Sequence, residues 1–252
     1  MLPVVQIGSL ALQVPGLVLL FGLWLGLSLA ERRAPRYGIN PGDLYNLVFV
    51  TLVAGIAGAR LAYLALYPSA FAASPSSLVS LNPGLLDPAG GAAAAFIAGM
   101  VYIQRKRLPG WPLLDALTPL LAILVIASGL ANLASGDAFG APVDLPWAIS
   151  LWGAWRHPSQ VYEILAALLI LVGLFGLPVS RRMSAHPGLT FLAFLALSAA
   201  SRLFLEAFRG DSLLTVWGLR TPQLAAWFLL AVALWGLRKR LPQGTGERAP
   251  NT

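Results

Sequence analysis

About seven apolar segments, separated by short polar connections, dominate this chain of 252 residues. A helix that crosses the hydrocarbon core of a bilayer needs roughly 20 apolar residues, and most of these segments are about that long. The chain is therefore predicted to be all-α, with about seven transmembrane helices. The predicted spans are residues 9–30, 43–67, 89–104, 113–134, 159–178, 187–208 and 222–237.

Composition supports a polytopic membrane protein. The chain is 58% hydrophobic and 11% charged, whereas an ordinary soluble domain is roughly 25% charged. The spans leave no room for a soluble domain, so residues 1–252 are predicted to form a single integral-membrane domain. Because the chain has no cysteine and two histidines, it is predicted to hold no disulfide, metal site or cofactor. Residues 9–30 are too long for a signal-peptide core and are kept as a span.

Lys and Arg are distributed unevenly among the connections, which predicts the orientation of the chain in its membrane. Twelve belong to the first, third and fifth connections and the tail, and three belong to the others. The N-terminus is predicted outside, residues 68–88 and 135–158 are predicted to be outward-facing loops, and the tail 238–252 is predicted to be cytoplasmic. The net charge of +7 is attributed to basic connections that set the membrane orientation, and not to a nucleic-acid-binding site. The twelve are Arg32, Arg33, Arg36, Arg105, Lys106, Arg107, Arg181, Arg182, Arg238, Lys239, Arg240 and Arg248; the three are Arg156, Arg209 and Arg220.

Four ionisable residues lie inside the predicted spans: Arg60, Glu163, Arg202 and Glu206. A charge at membrane depth costs several kcal/mol unless it is paired or faces water, so such residues indicate a functional site. The alternative is structural, because Arg202 and Glu206 are spaced to neutralise each other on one helix. On the functional interpretation, the four side chains are predicted to converge on one cavity that opens sideways to the outer leaflet.

Residues 156–163 (Arg-His-Pro-Ser-Gln-Val-Tyr-Glu) open the fifth span. Pro158 suits a helix start, and the side chains of Ser159 and Gln160 are predicted to satisfy first-turn donors. Capping explains the first half of the segment. It does not explain Glu163, which is directed into the membrane on the same face as Gln160.

Residues 202–209 end the sixth span, where Arg202, Glu206 and Arg209 are predicted to form one polar stripe. Guanidinium groups near the headgroups bind lipid phosphate bidentately. Snorkelling to the interface would explain Arg209 but not Arg202, which lies two turns deeper. Residues 128–140 close the fourth span with Asn132 near the membrane surface, and close packing of small residues explains most of that segment.

These segments resemble prolipoprotein diacylglyceryl transferase, the bacterial membrane enzyme that moves diacylglycerol from phosphatidylglycerol to the lipobox cysteine of a prelipoprotein. The similarity covers most of the chain, and the family's seven spans with the N-terminus outside agree with the charge distribution. The resemblance implies an anionic phospholipid, prelipoprotein signal peptides and the membrane as partners. Residues that carry it are Gly58 to Tyr63, Arg156 to Glu163, Arg202 to Arg209, and Thr221 to Gln223.

The sequence departs from the family pattern at several polar positions. The family's His-Gly-Gly motif appears as Ala89-Gly90-Gly91, so its histidine is missing, and Gly129 stands where a family arginine is expected. Arg202 is then expected to be the only deep cation left to hold a phosphate. The other departures are Pro15-Gly16 for Tyr-Gly, Ser135 for Asn, Asp137 for Glu and Ser198 for Tyr, whereas Asn132 is kept.

Three functional interpretations follow from this mixture. The first is a diverged but active diacylglyceryl transferase, in which Asp137, His157 or Glu163 replaces the missing base. The second is a catalytically silent relative that binds phospholipid or lipoprotein signal helices, and the third is a transferase of the same fold with another acceptor. The residues predicted for catalysis are Arg202, Glu206, His157 and Asp137; those predicted for substrate binding are Arg60, Asn132, Gln160, Glu163, Arg209, Gly90 and Gly91.

Overall fold

A computed structural model describes residues 4–7, 10–69, 83–176, 185–215 and 218–241. Within these residues the main elements are seven helices of 17 to 26 residues and two short antiparallel hairpins. The helices are α1 (Val14–Arg33), α2 (Pro41–Leu66), α3 (Pro88–Lys106), α4 (Gly110–Ser135), α5 (Ser159–Phe175), α6 (Leu189–Leu205) and α7 (Thr221–Arg240). The strands are β1 (Val4–Ile7), β2 (Leu10–Gln13), β3 (Ile149–Leu151) and β4 (Ala154–Arg156).

The all-α prediction is confirmed, and the helices coincide with the predicted spans to within a few residues. Among the described residues, four helical segments are long and apolar enough to cross a membrane. These are Val14–Tyr37, Pro41–Leu66, Gly110–Ser135 and Leu189–Phe208; α5 is a shorter apolar helix. Both α3 and α7 end in basic residues.

Two boundaries differ from the sequence prediction. Residues 10–13, assigned to the first span, form strand β2, and the helix begins at Val14. Pro15 accounts for this start, because proline fits the first turn of a helix and cannot continue a strand ladder. At the other boundary, α6 ends at Leu205 and continues as a 3-10 turn, Glu206–Phe208. Arg209 therefore lies beyond the helix in extended conformation, and the predicted stripe on a single helix is wrong at its last position.

Parts of several predictions lie outside the described residues. These parts are 70–82 of the loop 68–88, both arginines of the fifth connection, and the tail after Leu241. The loop 135–158 is described, and it carries the β3–β4 hairpin that the sequence analysis did not predict. Trp152 and Gly153 form the turn of this hairpin, both with positive φ (53° and 75°). That geometry is typical of a two-residue hairpin turn.

The chain divides into two compact units, one of residues 31–113 and one of residues 1–30 with 114–252. In the first unit, α2 and α3 are antiparallel and pack through small residues. A Cβ added at Gly58 would lie 2.1 Å from Ala94 Cβ, and one added at Gly90 would lie 2.1 Å from Ala62 Cβ. This close approach is the packing that small residues permit between membrane helices.

Side chains in the same unit hold the helix ends. Asp87 caps α3 by accepting a 2.6 Å hydrogen bond from the Gly90 amide, which satisfies one of the donors left free at a helix start. At the opposite end, Asp43 of α2 pairs with Lys106 of α3 at 3.3 Å. One carboxylate thus caps the start of α3, and another joins α3 to α2 at the opposite end.

In the second unit, α6 packs against both α5 and α7, and α4 approaches α5 closely at Gly129. Its apolar core includes Ala122, Leu174 and Phe194. These residues come from α4, α5 and α6, so the three helices that carry most of the candidate site residues share one packed interior.

A buried carboxylate joins α4 to α6 in this unit. Asp115 is fully buried and accepts hydrogen bonds from the backbone amides of Gly188 (2.5 Å) and Phe191 (2.8 Å). These amides belong to the first turn of α6, whose donors have no partner within the helix. Asp115 therefore caps a helix that is distant in sequence.

Candidate functional site

The candidate site lies where the start of α5 meets the end of α6. Glu163 occupies the second turn of α5, and Arg202 lies in the last turn of α6. Both helices are apolar around these residues, so each charge needs a partner to offset the cost of leaving water. The structure provides those partners within the same unit.

Glu163 forms the centre of an ion-pair network. Its Oε1 accepts hydrogen bonds from Arg202 Nη1 and Arg209 Nη1, each at 2.9 Å. Arg202 Nε also lies 3.0 Å from Glu206 Oε2, and Arg209 holds Asp211 through two donors at 2.9 and 2.7 Å. One carboxylate oxygen thus links two arginines, and each arginine has a second carboxylate of its own.

Glu206 is fully buried, and each of its carboxylate oxygens lies next to a different side chain. Ser212 donates a 2.5 Å hydrogen bond to Glu206 Oε1. The other oxygen, Oε2, is close enough to Arg202 for an ion pair, although the geometry is not that of a hydrogen bond. Arg220 donates to the backbone oxygens of Glu206 and Arg209 and to Ser212 Oγ. Its positive charge therefore offsets the partial negative charge of carbonyl oxygens near the end of α6, where a cation is favourable.

A cavity of about 500 Å³ borders this network. It is lined by the charged residues Glu163, Arg202 and Arg209, by the polar residues Ser128 and Asn132, and by Leu121, Leu124, Val125, Gly129 and Phe194. A smaller cavity of about 90 Å³ is also lined by Glu163 and Arg202, together with Ser198, Ser201 and apolar side chains. The arrangement places two guanidinium groups beside apolar walls, which suits an anionic headgroup with an apolar tail.

Arg209 remains charged despite its partial burial. Desolvation works against the cation, but the hydrogen bonds and Coulomb attraction of Asp211 and Glu163 outweigh it, so the pKa of Arg209 is raised above its ordinary value. Arg202 is not the only cation at this cavity, because Arg209 also lines it from beyond the helix end; that Arg202 is the only deep cation in the membrane stays a prediction.

The start of α5 holds the loop that precedes β3. Ser159 Oγ donates to the Ala138 carbonyl at 2.7 Å, and Gln160 Nε2 donates to the Asp137 carbonyl at 2.7 Å. Neither side chain caps α5, so the predicted capping role is wrong. Both hydrogen bonds hold Ala138, whose φ of 56° is unfavourable for a residue with a Cβ. Gln160 is predicted to bind substrate, and the structure shows a buried side chain that fixes this loop.

His157 and Asp137 lie beside the cavity but do not line it. The ring of His157 packs against Phe208, with centroids 5.2 Å apart, and its Nδ1 is 3.4 Å from the Tyr162 hydroxyl. The exposed Asp137 side chain accepts a 2.7 Å hydrogen bond from Ser135. Of the three candidates for the missing base, Glu163 is the one among the cavity-lining residues.

The remaining predicted residues lie in the unit of residues 31–113. Arg60 lies on α2, and Ala89 is an exposed residue in the first turn of α3. Gly90 and Gly91 face α2, where a Cβ at Gly91 would lie 3.0 Å from Ala59 Cβ. Packing thus explains these two glycines, and their assignment to substrate binding stays a prediction.

Three residues of the network were not predicted to act at the site: Asp211, Ser212 and Arg220. They belong to the connection between α6 and α7, and Arg220 had been counted only as a loop charge. The signal available in the sequence was the density of polar residues immediately after the Arg202 to Arg209 segment.

The fold and the site define a helical membrane protein with a paired-arginine cavity at the end of two helices. The family model of prolipoprotein diacylglyceryl transferase matches residues 3–238, and the chain belongs to this family. Relatives named phosphatidylglycerol–prolipoprotein diacylglyceryl transferase include one from Synechococcus elongatus, 28% identical with 94% of this chain and 89% of the relative covered. Another, from Rhizobium leguminosarum bv. trifolii, is 30% identical, with 81% of this chain and 77% of the relative covered.

The family predicted from sequence is thus confirmed, as is the interpretation of the chain as a diacylglyceryl transferase-like enzyme. The relatives do not favour the two alternatives, a silent lipid-binding protein and a transferase with another acceptor.

Proposed function

We propose that this chain is a multi-pass protein of the bacterial plasma membrane that transfers the diacylglyceryl group of phosphatidylglycerol to the lipobox cysteine of prelipoproteins. We place seven helices across the membrane, with the N-terminus and the connection 135–158 outside. The uneven distribution of Lys and Arg supports this orientation, and the headgroup cavity then lies towards the outer leaflet.

The observation that carries the proposal is the convergence of Arg202 and Arg209 on one cavity. Two guanidinium groups at one point match the oxygens of a phosphodiester. The apolar walls next to them suit the glyceryl and acyl parts of a lipid, because such walls exclude water and strengthen the ion pairs. Asn132 and Ser128, which also line the cavity, add neutral hydrogen-bonding groups.

In the proposed reaction the cysteine thiol gives its proton to a base, and the sulfur attacks the glyceryl carbon that bears the phosphate ester. The new S–C bond forms as the C–O bond breaks, and the departing glycerol phosphate keeps the electron pair. Arg202 and Arg209 offset the charge on that phosphate, which is the contribution expected of fixed donors at a developing anion.

We assign the base to Glu163, which lines the cavity. Among the described residues its Oε2 has no hydrogen-bond partner, so this oxygen is available to a thiol. Loss of a general base typically lowers the rate about 10²- to 10⁴-fold. We expect Glu163→Gln to show a loss of that size, and His157→Gln or Asp137→Asn to show smaller losses.

The test is lipidation of a lipobox peptide by the purified protein in liposomes that contain phosphatidylglycerol. Thioether formation on the cysteine is followed by mass spectrometry, and a peptide with serine in place of the cysteine is the control. Product above the level without protein supports the proposal. No product from protein that is folded and binds the lipid would overturn it and favour a silent relative.

A further inference from the structure

Glu163 Oε1 occupies the point at which two arginines converge. Arg202 Nη1 and Arg209 Nη1 both donate to this single oxygen at 2.9 Å. Two charge-assisted hydrogen bonds from guanidinium groups to one anionic oxygen form the same pattern that binds a phosphate oxygen. Within the chain itself, a carboxylate thus takes the place suited to the ligand.

The two arginines are held independently of Glu163. Arg202 is paired with buried Glu206 through Nε at 3.0 Å, and Arg209 is clamped by both oxygens of Asp211. If the Glu163 side chain turned away, these second partners would still fix the two guanidinium groups with their Nη1 atoms directed at the same point. The position between them is therefore preorganised for an anion.

The Glu163 side chain has space to move. It is 16% exposed and its Arg202 partner 35% exposed, and both line the cavity of about 500 Å³. Glu206, by contrast, is enclosed on all sides and tied to Ser212. Of the three carboxylates in the network, Glu163 is the one that bridges both arginines and borders the cavity.

We propose that Glu163 is an exchangeable internal anion, which a phosphate group of the lipid displaces from its position between Arg202 and Arg209. This inference rests on the proposed function, because it concerns the headgroup of the lipid substrate. A phosphate added while Glu163 stayed in place would bring two anions to the same donors, and such like-charge contact is strongly unfavourable. Exchange keeps the number of anionic partners of each arginine constant.

The exchange has a consequence for binding and release. Every phosphate-bearing ligand competes with Glu163 for the two arginines. This competition lowers the affinity of the ligand and assists departure of the glycerol phosphate product. Removing the carboxylate charge is expected to tighten phosphate binding, whereas an ordinary structural ion pair, once broken, would leave the arginines less well placed and binding weaker.

The experiment measures glycerol phosphate binding to the purified full-length protein in detergent by isothermal titration calorimetry, with glycerol as the blank. Glu163→Gln is expected to lower the Kd about tenfold. Asp144→Asn is the control for net charge, since it removes one negative charge from an exposed side chain of the connection between α4 and β3; we expect a change in Kd of less than about twofold. Glu163→Asp, which keeps the charge but draws it back from the bridge, is expected to lie between wild type and Glu163→Gln, and it serves as the test if Glu163→Gln does not fold.

Equal or weaker binding by both Glu163 variants, or equal tightening by Asp144→Asn, would overturn the exchange. If the wild-type protein lipidates the peptide in the same preparation, the proposed function stands even though the exchange is overturned. Tighter binding by Glu163→Gln together with no lipidation by wild type would leave the exchange in place and overturn the proposed function.

Discussion

Gly129 of α4 and Ile164 of α5 are in contact so close that a side chain at position 129 would force Ile164 to shift. A Cβ built there would lie 2.6 Å from Ile164 Cγ1, well inside van der Waals distance. The position at which the family arginine is expected is thus occupied by a helix contact, and the cavity beside it receives its second guanidinium from Arg209 instead.

Restoring the arginine at position 129 is therefore expected to be costly. Gly129→Arg should destabilise the protein by about 1–3 kcal/mol, because overpacking forces neighbouring side chains out of their rotamers. Thermal unfolding in detergent measures this, and Gly129→Ala isolates the effect of the Cβ alone. Adding Ile164→Ala to Gly129→Arg should recover part of the loss; a single mutant as stable as wild type would show that the contact yields easily.

Restoring the histidine at position 89 should be tolerated. Ala89 is exposed in the first turn of α3, so Ala89→His is expected to change the unfolding temperature little. If this position still supports the chemistry, the lipidation rate should rise. A lower rate with unchanged stability would show that the site has diverged beyond use of this histidine.

Arg202 is expected to be essential. Arg202→Ala should reduce lipidation to the level without protein, since it removes the partner of both Glu163 and Glu206. Arg202→Lys should rescue poorly, because an ammonium group lacks the planar fork that serves two anions at once. Arg105→Ala, an exposed arginine at the end of α3, is the charge-matched control. Full activity of the lysine variant would contradict the bidentate role.

The orientation can be tested directly. The excess of Lys and Arg in alternate connections predicts that the C-terminus is cytoplasmic. A reporter that is active only outside the cell should be inactive when fused after Arg240 and active when inserted at residues 143–146, between α4 and β3. The reverse result would move the candidate cavity to the cytoplasmic side and overturn the proposed function.

Asp115 is expected to stabilise the fold more than Asp43 does. Asp115→Asn weakens two backbone hydrogen bonds in a fully buried position and should cost about 1–3 kcal/mol. Asp43→Asn removes a partly exposed pair with Lys106 and should cost less than about 1 kcal/mol. Unfolding temperatures of the two variants compare them; equal losses would mean that the α6 cap contributes little.

The sequence was sufficient to predict the helices and the membrane class. Apolar length and the scarcity of charge decide both locally, since a helix in a bilayer satisfies its own backbone hydrogen bonds. The same reasoning identified Glu163, Arg202 and Glu206 as exceptional, because an ionised side chain in an apolar segment needs a partner or water wherever that partner lies in the sequence.

Only the tertiary structure decided how these charges are paired. Arg209 was predicted on the α6 stripe, yet it contacts Glu163 from beyond the helix end. Ser159 and Gln160 fit a capping pattern, yet they hold the carbonyls of Ala138 and Asp137. Side-chain spacing along one helix does not reveal which loop folds back onto it, because those contacts join residues distant in sequence.

The apolar segments and the charges of this chain thus determined its class, its helices and the few residues whose burial needed an explanation. The packing of α4, α5 and α6 decided two further features. Two arginines share one Glu163 oxygen, and Ile164 fills the space next to position 129. Close packing fixes distances to a few tenths of an ångström, and no local sequence pattern encodes distances between helices at that precision.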